Sequence, residues 1–292
     1  MDPSGLTIDW VVLTMGNRPD ELHTAVASLV ERMGPADHVV VVSNGGGPLE
    51  PFDHPRVRIV ETDRNLGVPG GRHVGLQATE APIVGFLDDD AEFRSGYAEL
   101  ADVFSEQADV GAVSLRLVDE DGTSNARHVP RPGGRDADRS GPVATFLGGA
   151  CALRRSAYEE VGGYFTALQY GHEEVELSWR LVDAGWRIRY LADTEVFHPR
   201  TEIARHRDGW RLTGRNRVWI ARRTLPWPIA LCHVAFWLVL GVVRAPDAGC
   251  RRSYLSGWWS GWRTAWNDRA ERRPISWRTV WTLTRLGRPP VV

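Results

Sequence analysis

A chain of 292 residues with 42% hydrophobic and 25% charged residues can bury a full core and sits in the ordinary range of folded proteins. All 35 basic residues are Arg, which excludes Schiff-base lysine chemistry and a P-loop lysine. The net charge of −2 hides a division: residues 1–204 hold 18 Arg against 33 acids, and residues 205–292 hold 17 Arg against 4 acids. An acidic body therefore carries a basic tail.

Residues 8–13 are β-rich and read as a strand, and Pro19 with Asp20 opens a helix to about residue 32. Residues 39–43 read as a second strand, closed by Asn44-Gly45-Gly46-Gly47, and 57–61 as a third. Residues 70–78 read as helical despite their glycines. Residues 83–87 form a fourth strand that stops at Asp88-Asp89-Asp90. Residues 95–107 read as a helix with Ser95 as N-cap, and 110–117 as another strand. Residues 119–142, rich in Asp, Gly, Arg and Pro, read as a long loop that can act as an active-site flap. Short strands follow at 146–153 and 187–192, with a strong helix at 173–184 between them. Strands alternating with helices predict an α/β fold with a mostly parallel central sheet covered on both faces.

From about residue 205 the texture changes. Eight of the 13 Trp lie at or after Trp227, interleaved with Arg. Residues 225–243 carry no Arg, Asp or Glu, but a span needs about 20 apolar residues. Three readings stay open: a helix at the membrane surface, a true span or re-entrant hairpin, and a helical subdomain packed on the body. The expected division is 1–222 for the α/β domain and 223–292 for a helical, Arg/Trp-rich extension. Cys151, Cys232 and Cys250 are odd in number and widely spaced, which argues against a disulfide framework or a structural zinc. The opening MDPSGLTID has no basic stretch followed by an apolar one, so no leader is expected and the body is placed in the cytoplasm, peripheral at the inner face of the plasma membrane if the tail binds there.

Several segments can carry chemistry. Asp88-Asp89-Asp90 follows an apolar strand, and ligands bind at the carboxyl ends of strands in open α/β sheets. Adjacent carboxylates repel unless a cation neutralises them, and Asp88 and Asp90 can share a metal if the strand continues. The alternative is a solvated acidic turn. In Gly171-His172-Glu173-Glu174-Val175-Glu176-Leu177-Ser178-Trp179-Arg180 the acids suit a helix N-terminus, and Glu176 and Arg180 can pair. The sharper reading makes one Glu a general base. His198 is a structural histidine or a third metal ligand, since imidazole suits Mn and carboxylates suit Mg or Mn. Asn65-Leu66-Gly67-Val68-Pro69-Gly70-Gly71-Arg72 is a glycine-rich approach to a helix, where amides and Arg72 can meet a diphosphate. Gly149 and Ala150, and Trp179, are candidates for the acceptor region; small residues there either admit a substrate or serve close packing. The dinucleotide fingerprint GxGxxG is absent after the first strand, against a Rossmann dehydrogenase.

Taken in order, VVLTMGNRPDEL, SNGGG, DRNLGVPGGRHVGL, GFLDDDAEF, GGACALRRSAYEEVGGY, GHEEVELSWRLVDAGWRI and VFHP resemble glycosyltransferase family 2, with its GT-A fold, over roughly residues 8–225. The likeness extends to bacterial rhamnosyl- and galactofuranosyl-type transferases. The resemblance implies that Asp88 and Asp90 bind a divalent metal, Mn2+ or Mg2+, and the donor diphosphate or ribose. His198 would complete the metal site. Thr14, Arg18, Asn44 and Asp63 would line the nucleoside pocket, with Asn65, Gly71, Arg72 and Asp89 also on the donor side. Glu173-Glu174 stands where the family has a Glu-Asp pair whose second acid is the base, so Glu174 is preferred over Glu173. The implied reaction is inverting transfer from a UDP- or dTDP-sugar to a hydroxyl of a glycan, lipid-linked or small-molecule acceptor. Competing readings are a sugar nucleotidyltransferase, which usually needs a Lys-bearing glycine loop, and a non-catalytic carbohydrate-binding subunit. The basic tail is expected at a membrane surface rather than on nucleic acid, because no nucleic-acid recognition motif accompanies it.

Overall fold

The computed structural model describes residues 6–200, 208–264 and 272–291. Residues 1–5, on which the leader reading partly rests, and Trp266 of the tail lie outside them. The first half runs β1 (Ile8–Thr14), α1 (Pro19–Arg32), β2 (Val39–Asn44), β3 (Val57–Thr62), α2 (Gly67–Ala78), β4 (Ile83–Asp88), β5 (Glu92–Ser95), α3 (Tyr97–Glu106) and β6 (Val110–Val118). Then come β7 (Gly141–Pro142), β8 (Ala150–Arg154), α4 (Arg155–Glu160), α5 (Glu173–Asp183) and β9 (Arg187–Phe197). The chain ends with α6 (Gly209–Thr224), α7 (Trp227–Arg244), α8 (Ala248–Arg263) and α9 (Trp277–Arg285).

One mixed sheet is ordered β3-β2-β1-β4-β8-β6-β9-β5, with β7 beside β9. β3, β2, β1 and β4 are parallel, and so are β6 and β9. β8 runs against both β4 and β6, and β5 and β7 run against β9, so the parallel part of the sheet lies chiefly in the first half. The runs Val11–Leu13 of β1 and Val39–Val42 of β2 are continuously apolar because successive side chains face opposite layers, and both layers are covered. Ile8, Trp10 and Val12 enter one core with residues of α1 and α3, while Val11, Val40 and Val42 enter the other with Leu76 of α2 and Leu177 of α5.

Two local expectations are corrected. Ser95 is not the N-cap of α3: it ends β5 against Glu195, and Gly96 caps the helix at φ +86°. An added Cβ at Gly96 would strike the backbone at Thr194, so only glycine turns the chain there. Residues 146–149 are not strand, because β8 begins at Ala150. The 119–142 stretch is largely irregular, broken by short 3₁₀ turns at Ala126–His128 and Pro132–Gly134.

The tail packs on α5. Glu176, fully buried, accepts from Arg180 Nε at 2.9 Å and Nη2 at 2.6 Å, from Thr224 Oγ1 at 3.0 Å, and from Arg223. The expected 222/223 division falls in the last turn of α6, where Arg223 and Thr224 make these bonds. Burial pushes the Glu176 carboxyl up, but Arg180 and Arg223 outweigh it and hold the group below its ordinary 4.5. Glu176→Gln is expected to cost about 3–5 kcal/mol, read by denaturant unfolding, because it leaves two buried cations without their carboxylate. A depressed acid contributes stability above its unfolded pKa and loses it as pH falls through the folded one. The gap between wild type and Glu176→Gln should therefore close below pH 4.5.

Candidate active site

Register places the site. Leu13 pairs with Asp88 and Thr14 with Ser43, so β1, β2 and β4 end together at one edge. β8 starts beside them, Ala150 facing Leu87, and Asp88 N donates to Gly149 O at 3.0 Å. β9 delivers His198 one residue past its end, where His198 N donates to Val118 O at 2.9 Å. A cleft of about 830 Å³ opens at this edge, lined in part by Thr14, Arg18, Asn44, Asn65, the three aspartates and His198.

Asp88, Asp90 and His198 bring one ligand atom each to within 4.8 Å of the others. Asp88 belongs to the strand, but Asp90 lies in the turn beyond it, so the turn rather than strand alternation brings the two carboxylates together. Each ligand is oriented by a second contact. Asp88 Oδ1 accepts from Arg72 Nη2 at 3.1 Å, and Oδ2 lies 3.8 Å from His198 Nε2. Asp90 Oδ2 pairs with Arg18, and Oδ1 lies 3.4 Å from His198 Nε2. His198 Nδ1 is 2.9 Å from Pro199 O, a carbonyl that can only accept, so Nδ1 carries a proton and Nε2 faces the carboxylates. Burial pushes Asp88 up, but His198 and Arg72 draw it down to about 2; burial lowers His198, but Asp88 and Asp90 raise it above 6.5. Asp89 turns away from the triad: Thr14 Oγ1 donates to it at 2.6 Å and Arg18 Nη2 at 2.5 Å, while burial still lifts it to about 6.

Arg72 connects this group to the two glutamates. It is 5% exposed, and Nη1 donates to Glu174 Oε1 at 3.2 Å and lies 4.0 Å from Glu173 Oε1. Gly148 and Gly149 make room for the assembly. A Cβ on Gly148 would overlap Glu174 Oε1 and Arg72 Nη1, and one on Gly149 would overlap Asp88 Oδ2. Gly149→Ala is thus expected to displace Asp88 and weaken Mn2+ binding by about 10–100-fold, measured by calorimetry, with little change in fold.

Glu173 and Glu174 differ in surroundings. Glu173 is 3% exposed and its Oε2 is buried without a hydrogen bond. Burial and then the Glu174 charge push its carboxyl up, against the pull of Arg72. The Glu174 side chain is 20% exposed.

The other expected residues divide between the cleft and the packing around it. Asp63 is exposed and outside the cleft lining. Asn44 lines the cleft, but Nδ2 donates to Asn65 Oδ1 and Gly67 O, and Oδ1 accepts from Leu66 N. The leading amides of α2 are occupied as well: Gly67 N donates to Asn65 Oδ1 and Val68 N to Gln169 O. Gly71 is a packing position against Leu13 and Asn44, and Arg72 faces inward to carboxylates rather than out to a diphosphate. Ala150 is buried in β8. Trp179 is buried with its ring edge-on to His233 at 5.8 Å, in the contact with the tail and outside the cleft lining.

Sequence reasoning missed Met15, Asn17, Arg127, His128, Gln169 and Tyr170, which also line the cleft. Arg127 and His128 come from the expected flap, and a basic pair in that stretch was the available signal. The His128 ring meets His198 edge-on at 5.6 Å, and burial, then Arg127 and His198, pushes it down to about 4. Gln169 stands at φ +64°, which its residue type does not announce. Its loop is held by buried Asn216 of α6, whose Nδ2 lies 2.9–3.0 Å from the carbonyls of Leu168, Tyr170 and Gly171.

The family model described as glycosyl transferase family 2 matches residues 10–162, more than half of the chain. The chain belongs to glycosyl transferase family 2. The match runs from within β1 through α4 and includes the aspartate turn and Gly148-Gly149. A pre-mycofactocin glycosyltransferase of Mycobacterium tuberculosis is 30% identical over 229 residues, covering 73% of this chain. The chain spans only 44% of that relative's length. Among solved structures, GalNAc-T7 with UDP, GalNAc and Mn2+ aligns at TM-score 0.62 and 16% identity over 88% of this chain and 56% of its own. The mannosyltransferase PcManGT from Pyrobaculum calidifontis, in complex with GDP-Man and Mn2+, aligns at 0.55 and 16% over 98% and 81%. These likenesses show the family's GT-A fold, the α/β sheet flanked by helices described above.

Proposed function

We propose that this family 2 chain transfers a sugar from a nucleotide diphosphate sugar, UDP- or dTDP-linked, to an acceptor hydroxyl with inversion at the anomeric carbon. The carrying observation is Arg72, which ties Asp88 of the metal-competent triad to Glu174 and so sets a leaving-group site beside a base. The donor set fits a divalent cation. Asp88 and Asp90 each spend one oxygen on an arginine and turn the other toward His198 Nε2. Two hard oxygens and an imidazole suit Mn2+, or Mg2+ with water in place of the nitrogen. The Mn2+ complexes of two fold neighbours support this reading. A cation held there would supply Lewis-acid stabilisation of charge on the departing diphosphate.

The chain's own groups do the rest. Glu174 Oε1 is anchored by Arg72, which leaves Oε2 to take the acceptor proton as the hydroxyl oxygen attacks the anomeric carbon. Burial and the neighbouring Glu174 charge raise the Glu173 carboxyl and disfavour its ionised form, which makes it the poorer base. A retaining double displacement needs a carboxylate nucleophile at that carbon. The three aspartates are each committed to Arg72, Thr14 or Arg18, which favours a single inverting displacement. The acceptor is a glycan, a lipid-linked sugar or a small molecule.

Thermal-shift screening of UDP-, dTDP- and GDP-sugars with Mn2+, Mg2+ or chelator tests the donor site, because a bound ligand stabilises the folded state by mass action. A metal-dependent rise with one nucleotide class is expected, followed by a product of opposite anomeric configuration by NMR. A chain that no nucleotide sugar stabilises in the presence of Mn2+ would remove this reading.

A further inference from the structure

The last helices leave a broad apolar face open. On α7, Leu231, Phe236, Val239 and Val243 are 57%, 38%, 65% and 71% exposed and fall on one side of the helix. The opposite side, with Ala230, His233, Val234 and Gly241, is buried. On α8, Leu255 and Trp259 are also exposed, one turn apart, and Arg251, Arg252 and Arg263 share their side of the helix. The two helices are neighbours: Tyr254 Oη donates to Trp237 O at 2.5 Å, and Gly241 lies flat against the Tyr254 ring. Both also pack on α6, where Gly214, Gly257 and Gly261 allow close approach of α6 and α8. Their open sides therefore turn away from the body.

We infer that this α7–α8 face lies flat on an anionic lipid surface, with its aliphatic stripe in the acyl region and its arginines at the headgroups. Charge selects the occupant: the segment from 205 onward carries 17 Arg against 4 acids, and the exposed arginines border the stripe instead of interrupting it. Aliphatic side chains need no shape-matched partner in lipid, and Trp and Arg favour the interface. α7 meets the length and composition of a membrane span, but its inner side is incompatible with one. There the Arg217 guanidinium sits 3.3 Å from the centre of the Trp237 ring, and buried His233 bonds Pro290 O at 2.6 Å. A span would carry Arg217 and His233 into the hydrocarbon or strip α7 from α6. The inference does not depend on the proposed reaction.

The test is co-sedimentation of the full chain with phosphatidylcholine vesicles, with and without phosphatidylglycerol. Binding is expected only with the anionic lipid and should fall with salt. The variant Leu231→Gln/Val239→Gln/Val243→Gln should weaken partitioning by about tenfold or more, from lost aliphatic burial. The variant Arg251→Gln/Arg252→Gln/Arg263→Gln should lose the preference for phosphatidylglycerol. Both should keep the wild-type melting temperature. Quenching of wild-type Trp fluorescence by brominated lipid gives a readout independent of any variant. A wild-type chain that neither sediments with anionic vesicles nor is quenched overturns the inference. So does a dimer in light scattering that the Leu231/Val239/Val243 variant dissolves, since that result gives the face to a second copy of the chain.

Discussion

Glu174→Gln is expected to lose about 10²–10⁴ in kcat, the usual range for a general base, while donor-induced thermal stabilisation stays at the wild-type level. The amide keeps the carboxylate's shape and can still accept from Arg72, so the loss falls on proton transfer rather than on assembly of the site. Glu173→Gln is the matched control. Burial and the Glu174 charge push its carboxyl up, toward the neutral form that the amide mimics, so kcat should change far less. Stability should respond in the opposite sense to the Glu176 case. A carboxyl whose folded pKa is raised favours the folded state at low pH and loses that contribution as pH rises through the folded value. Glu173→Gln should therefore gain in melting temperature relative to wild type as pH rises above 4.5, the value at which the unfolded acid ionises. Equal turnover in Glu174→Gln and wild type would remove the base assignment.

Asp88→Asn is expected to abolish the metal response altogether. Asp88 joins the metal group to Arg72, accepting from that guanidinium on one oxygen and facing His198 with the other. Neutralising it removes a ligand charge and weakens the charge-assisted bond from Arg72. Mn2+ should no longer raise the melting temperature, donor stabilisation should vanish with it, and kcat/KM should drop by about 10³-fold or more, several kcal/mol of lost transition-state stabilisation. Asp89→Asn separates charge from coordination. Asp89 faces Thr14 and Arg18 instead of the triad, so its amide should retain the Mn2+ response. Loss of that response in Asp89→Asn but not in Asp88→Asn would mean that the ligand set is misassigned.

Sequence periodicity determined the alternating strands and helices of the first half, because strands buried on both faces carry continuous apolar runs and end at marked turns. The aspartate triplet at the end of β4, and the pair Glu173-Glu174 opening α5, were legible for the same reason: charge placed where a regular apolar element stops. The reversal of β8 and its insertion between β4 and β6 were not legible. Strand direction is decided by pairing across more than 60 residues of intervening chain, and no local pattern records it.

The tertiary structure alone decided what each polar group does. Arg72 reads as a diphosphate ligand at a glycine-rich helix start, but folding turns it inward to Asp88 and Glu174. Trp179 reads as an acceptor-region candidate, but it packs at the junction with the tail. Asn44 and the first amides of α2 read as donor contacts and are consumed by the chain itself. Glu173 and Glu174, adjacent and chemically identical, are separated by burial: 3% against 20% side-chain exposure. Residue type sets which bonds a group can make. Which of them it makes, and in which protonation state, depends on neighbours brought from distant sequence and on the water that packing removes.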